Sequence, residues 1–159
     1  MTPTDVDADE LSELDADDRA VLDARIRDAR ADAEEIAVET GIAADRVEAK
    51  LTRLEDAGVI DGYTTRLDYG ALGYDVTALF QLSVADDSVL DRLRDESRFV
   101  ALYAVTGGDD AVAIGKFEDT GALNTVATEL LIDDAVRSLT VTVVRDVLRE
   151  FEPPAFDGA

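Results

Sequence analysis

The chain predicts an α+β protein in which a helical head precedes a sheet-forming body, and three observations carry that reading. Apolar residues recur at helical spacing up to Leu54, and Gly58 closes the run in the position best suited to a left-handed residue. From Ile60 the pattern changes to alternation, the signature of a strand. The rest of the chain then reads strand, helix, strand, strand, helix, strand.

Residues 1–13 contain no basic side chain and are expected to form an acidic, flexible tail. A first helix is predicted from Leu14 to Arg30, capped by Asp15, with Ala20, Val21, Ala24 and Ile26 as its apolar surface. Asp32 caps a second helix through Thr40, with Ile36 and Ala37 facing inward, and Gly41 makes the turn. A third helix runs from about Ala44 to Ala57, where Val47, Leu51 and Leu54 fall at i, i+4 and i+7. Three short helices with a glycine between the second and third outline a helix-turn-helix over residues 14–60. Residues 61–74 then read as a connecting strand and linker, with Tyr63, Thr65 and Leu67 alternating with Thr64, Arg66 and Asp68 before turn-forming Gly70 and Gly73.

The body is expected over residues 75–151. Val76 to Val84 alternates, with Val76, Ala78, Phe80, Leu82 and Val84 on one face. Ser88 to Glu96 is helical through Val89, Leu90 and Leu93. Phe99 to Val105 and Ala111 to Phe117 are strands joined by Thr106-Gly107-Gly108-Asp109-Asp110. Leu123 to Leu131 is helical, and Val136 to Leu148 reads as a long last strand. This order fits a ferredoxin-like βαββαβ layer, an antiparallel sheet with both helices on one face. Leu79 beside Phe80 and Val143 beside Val144 make the sheet apolar on both faces, which implies a second subunit over the other one. Residues 152–159 form a C-terminal tail.

Composition narrows the function. No cysteine and no histidine are present, which removes disulfides, thiolate metal sites and the commonest general base. Paired carboxylates such as Asp86/Asp87 and Asp133/Asp134 lack the converging spacing of a hard-cation loop, so neither metal nor cofactor is expected. No apolar run spans a bilayer and no signal peptide is apparent, so the chain reads as cytoplasmic. The net charge of −22 argues at first against nucleic acid. Yet aspartate outnumbers glutamate and only two lysines occur, Lys50 and Lys116, as in proteins of organisms that hold molar salt in their cytoplasm, typically haloarchaea. At about 1 M salt the Debye length is near 3 Å, so long-range repulsion from DNA is screened.

The third helix sorts its charges by face. At 100° per residue, Arg46, Lys50 and Arg53 fall within roughly 60° of one another beside the apolar stripe. One reading places this cationic edge in a major groove, against phosphates or guanine edges. The other leaves it an exposed face held by intrahelical ion pairs. The DNA-reading interpretation requires that the edge lie open to solvent and approach its twin in a symmetric pair.

The runs LDADDRAVL and EEIAVETGIAADRVEAKLTRLEDAGVIDGYTTRLDYGALGY, followed by VTGGDDAVAI, resemble the Lrp/AsnC, or feast/famine, transcriptional regulators over residues 14 to about 150. The junction RLEDAGVIDGY, with Asp68, Leu72 and Gly73 after it, carries the resemblance most specifically. It implies an N-terminal helix-turn-helix that binds double-stranded DNA, a connecting strand, and a C-terminal domain that senses a small effector such as an amino acid. That domain dimerises through its sheet, and dimers often assemble into octamers. Two departures stand out: Ala43, Ala44 and Asp45 occupy the place of a serine cap and a basic run, and the hairpin reads Gly107, Gly108, Asp109, Asp110 where an aromatic is common. The hairpin residues Thr106 to Asp110 are an ordinary tight turn and, by resemblance, an effector contact. Two alternatives accompany the regulator reading. One is a co-regulator that hetero-oligomerises without reading DNA; the other is an enzyme like the related sirohaem decarboxylases, whose histidines this chain lacks.

Overall fold

A computed structural model describes residues 14–153. The expected tail at 1–13, and all of the C-terminal tail except Glu152 and Pro153, lie outside the described residues. The described residues divide into two compact units, one of residues 14–66 with 151–153, the other Leu67–Glu150.

The head holds α1 (Ala16–Arg27), α2 (Ala33–Thr40) and α3 (Ala44–Asp56). Asp15 caps α1 in a reciprocal box with Asp18, and Asp32 caps α2 in the same way with Glu35. Gly41 ends α2 at φ 76°, and Gly58 follows α3 at φ 71°, conformations that cost a side-chain-bearing residue strain. Val21, Ala24, Ile36, Ile42, Val47 and Leu51 close one apolar core between the three helices. The first helix stops at Arg27 instead of Arg30. Its last turn is replaced by side-chain bonds: Arg25 donates to the carbonyls of Ala29 and Ala31, and Asp28 accepts the Arg30 N–H.

The segment expected as a connecting strand is extended and pairs with no strand of its own chain. Among the described residues, Asp61 to Asp68 join no ladder, because no strand lies beside them to accept their backbone bonds.

The body contains β1 (Val76–Val84), α4 (Ser88–Asp95), β2 (Phe99–Ala104), β3 (Ala111–Phe117), α5 (Thr120–Leu131) and β4 (Val136–Val143). The sheet runs β2-β3-β1-β4 with every neighbouring pair antiparallel, the ferredoxin-like arrangement that the element order implies. Ala78, Phe80, Leu82, Ala113 and Phe117 face Val89, Leu93, Leu123 and Val126 of the helices. Phe80, Phe99 and Phe117 meet ring to ring in the centre of that layer. Two boundaries move by more than one residue. Asp119 caps α5, which starts at Thr120 ahead of the expected Leu123. The last strand ends at Val143 and not Leu148, because β1 begins at Val76 and offers no partner beyond Thr77, whose carbonyl takes the Val144 N–H.

The other face of the sheet is covered in part by the chain itself. Lys116, buried on β3, bonds Glu150 at 2.8 Å and the Thr77 hydroxyl at 3.1 Å, and lies 4.8 Å from the centre of the Tyr69 ring. Leu79, Val112 and Ile114 on the same face stay partly exposed, and Tyr103 is mostly exposed.

Candidate nucleic-acid interface

The expected cationic edge of α3 turns toward α1. Asp15 at the N-cap and Asp17 and Asp18 in the first turn of α1 lie where the positive end of the helix dipole favours carboxylates. Arg46 reaches Asp17 at 2.9 Å. Lys50 reaches Asp15 at 3.0 Å and Asp18 at 2.9 Å, and Arg53 also pairs with Asp18. Asp18 is wholly buried, the Lys50 side chain is 13% exposed, and the Arg46 and Arg53 side chains are 62% and 53% exposed. Burial opposes the charge on Asp18, yet hydrogen bonds from Lys50, Arg53 and the Asp15 N–H outweigh it and hold the carboxyl at about 2. For Lys50 too, burial is outweighed by the two aspartates, which raise its pKa.

The edge expected from sequence to be open is open in part: Lys50 is enclosed, while Arg46 and Arg53 are exposed though ion-paired. A helix position next to the apolar stripe sits at the rim of the packing interface, within reach of a neighbouring helix. Helical spacing alone does not reveal that the neighbour ends in three aspartates. Arg46 and Arg53 keep part of their guanidinium surface in water, whereas Lys50 is built into the head.

Besides Arg46 and Arg53, the exposed residues of α3 are Asp45, Glu48, Ala49, Thr52, Glu55 and Asp56. With Asp32, Glu34 and Leu51, most of them line a cleft of about 630 Å³ between the start of α2 and α3. Alternating charge along α3 concealed this set, which is legible only once the apolar stripe is known to face α1 and α2. Ala43 occupies the N-cap position with extended backbone and, as its side chain requires, makes no capping bond.

In the body, the hairpin residues separate into two groups. Asp110 is committed to the fold. Its carboxylate accepts the Val84 N–H at 2.8 Å and the Ser83 hydroxyl at 3.0 Å, and its N–H donates to Leu82 at 2.8 Å. The two bonds to the carboxylate, at the residues where the β1–β4 register shifts, lower the Asp110 pKa, the Val84 N–H contributing most. Thr106, Gly107 and Gly108 are exposed at the tip, with Gly107 at φ 133°, and Asp109 is half-buried. Among the described residues no group of carboxylates has metal-holding geometry, and no helix is long and apolar enough to cross a membrane.

No protein-family model matches the chain. A helix-turn-helix-type transcriptional regulator of Pyrococcus horikoshii, itself uncharacterised, is 31% identical over 141 residues, which cover 87% of this chain and 95% of the relative. The chain belongs to the Lrp/AsnC family of transcriptional regulators. Lrp/AsnC architecture recurs in solved structures. Escherichia coli AsnC superposes with a TM-score of 0.78 at 23% identity, covering 88% of this chain and 99% of that one. A Neisseria meningitidis transcriptional regulator in complex with L-Met does so with a TM-score of 0.80 at 22% identity, covering 89% and 96%. The relatives it matches are named as transcriptional regulators, which favours neither the tetrapyrrole chemistry nor the DNA-independent co-regulator.

Proposed function

We propose that this Lrp/AsnC protein is a sequence-specific DNA-binding transcriptional regulator. It works in the cytoplasm of a salt-accumulating cell as a homodimer or an assembly of dimers, and an amino acid or similar small metabolite is its effector. The observation that carries the reading is the α2–Gly41–α3 helix-turn-helix, with α3 tied to α1 by the ion pairs of buried Asp18 with Lys50 and Arg53. In this reading Ala49 and Thr52 face base edges, Arg46 and Arg53 reach phosphates from the rim, and Lys50 positions the helix. The hairpin tip, Thr106 to Asp109, is the effector contact, while Asp110 supports it. The L-Met complex of the meningococcal regulator supports an amino acid as the ligand class.

The acidic outer face of α3 predicts an unusual salt response. Phosphate contacts release counterions, and each one steepens the loss of affinity with salt by about 0.9 in log–log slope. Asp45, Glu48, Glu55 and Asp56 must instead take up cations when they approach phosphate, which reverses that trend. Promoter fragments recovered by chromatin immunoprecipitation should therefore bind as tightly in molar potassium chloride as in dilute buffer, or more tightly. Arg46→Ala and Arg53→Ala should each weaken the complex. Failure to retain any fragment at any potassium chloride concentration would overturn the regulator reading.

A further inference from the structure

A second cationic surface lies on the head, away from the residues assigned above. Arg27, Arg30 and Arg66 line one cleft of about 460 Å³ between the end of α1 and the extended segment Tyr63 to Arg66. Thr64, Thr65 and Tyr63 form its other wall, with Asp28 the one carboxylate in the lining. In a chain of net charge −22, with 15 basic residues against 37 acidic ones, three arginines around one cleft are a marked concentration.

Their partners differ from those of the other head cations. Arg25 is committed to the Ala29 and Ala31 carbonyls and lies over the Tyr63 ring, and Arg46, Lys50 and Arg53 are committed to α1. The Arg30 guanidinium makes no hydrogen bond or ion pair among the described residues; only its backbone N–H is used, by Asp28. Arg66 has Glu152 at 4.0 Å, the limit of an ion pair, with the two side chains 73% and 45% exposed. Arg27 is paired with Asp23 and Glu39. The Thr64 and Thr65 hydroxyls and their backbone N–H groups have no partner among the described residues. Such a wall offers guanidinium, hydroxyl and amide donors together, and a phosphate oxygen accepts from all three.

We infer that this cleft binds a phosphodiester of the DNA backbone, with Arg30 and Arg66 as the contacting cations and Thr64 and Thr65 as neutral donors. The inference rests on the DNA-binding reading and deepens it, because it supplies a non-specific anchor where the outer face of α3 is acidic. Phosphate contacts hold a protein in register without reading sequence. Arg27, already paired twice, contributes field more than bonds.

The test uses the full chain and two fluorescein-labelled duplexes, a promoter fragment recovered from chromatin and a mixed-sequence duplex of equal length. Binding is followed by anisotropy across a potassium chloride series. Arg30→Ala and Arg66→Ala should each weaken both complexes about fivefold and alike, and shift the log–log salt slope upward by about one. Arg30→Lys should restore most of the binding. Circular dichroism should show unchanged folding, since both side chains lie at the surface. Wild-type binding with no change in either variant would overturn the anchor and leave the regulator reading intact. Loss confined to the promoter duplex would overturn it too, by making Arg30 or Arg66 a base reader. Calorimetric titration with inorganic pyrophosphate is the other arm: Arg30-dependent pyrophosphate binding, with duplex binding unchanged in Arg30→Ala, would assign the cleft to a small phosphate and overturn the DNA assignment. A wild-type protein that binds neither duplex in any salt would remove both the anchor and the regulator reading.

Discussion

Asp18 shows how one residue decides what an entire helix face can do. It is buried, receives Lys50 and Arg53, and also serves the Asp15 cap. Its folded-state pKa lies below the usual carboxylate value, so it adds stability that is fully present above about pH 4 and is lost as pH falls through about 2. Asp18→Asn should destabilise the head by about 3 kcal/mol, because Lys50 would keep a buried charge with its main partner gone. Urea melts at neutral pH measure that loss. The same melts between pH 4 and pH 2 should show a shallower fall for the variant than for the wild type, and equal slopes would mean that Asp18 is not the titrating group. In sequence, Asp18 was one of many aspartates; only its meeting with Lys50, 32 positions away, sets it apart.

Elements were largely legible, and their ends less so. Every helix and strand with a long periodic run appears where the pattern places it, because burial of one face rewards that period directly. The ends depend on partners. The α1 terminus is set by Arg25 reaching past it, α5 by the Asp119 cap, and β4 by the length of β1. The connecting strand had the right alternation and no neighbour. Two substitutions test this level. Ala43→Ser supplies the missing N-cap of α3 on backbone already extended at φ −60° and ψ 140°, and should stabilise the protein by about 1 kcal/mol in thermal melts. Gly115→Ala would set a Cβ 2.5 Å from the Phe117 ring, and overpacking of this kind should cost about 1–3 kcal/mol. A Gly115→Ala protein as stable as the wild type would show that the ring has room to move.

For the whole molecule, the sequence leaves open what covers the second face of the sheet. Part of the answer is internal, since the Tyr69 ring and Glu150 enclose Lys116. The remaining apolar area, with Leu79 opposite Ile114 in register and Val112 beside Tyr103, is the surface on which the proposed dimer would close. The double substitution Leu79→Glu and Ile114→Glu should leave the helical face of the layer intact and shift sedimentation to the monomer. A variant that still sediments as the wild type would place the dimer contact elsewhere.

The amino-acid order alone determined the two-part architecture, the helix-turn-helix outline, the βαββαβ succession and the family, because each is written in local periodicity, turn residues and one specific junction. Tertiary structure decided which charges are available. Arg46, Lys50 and Arg53 share a face by helical geometry, but whether that face meets solvent, DNA or three aspartates depends on where α1 folds back. Electrostatic roles follow from distances of a few ångströms between residues far apart in the chain, and no local pattern encodes those distances.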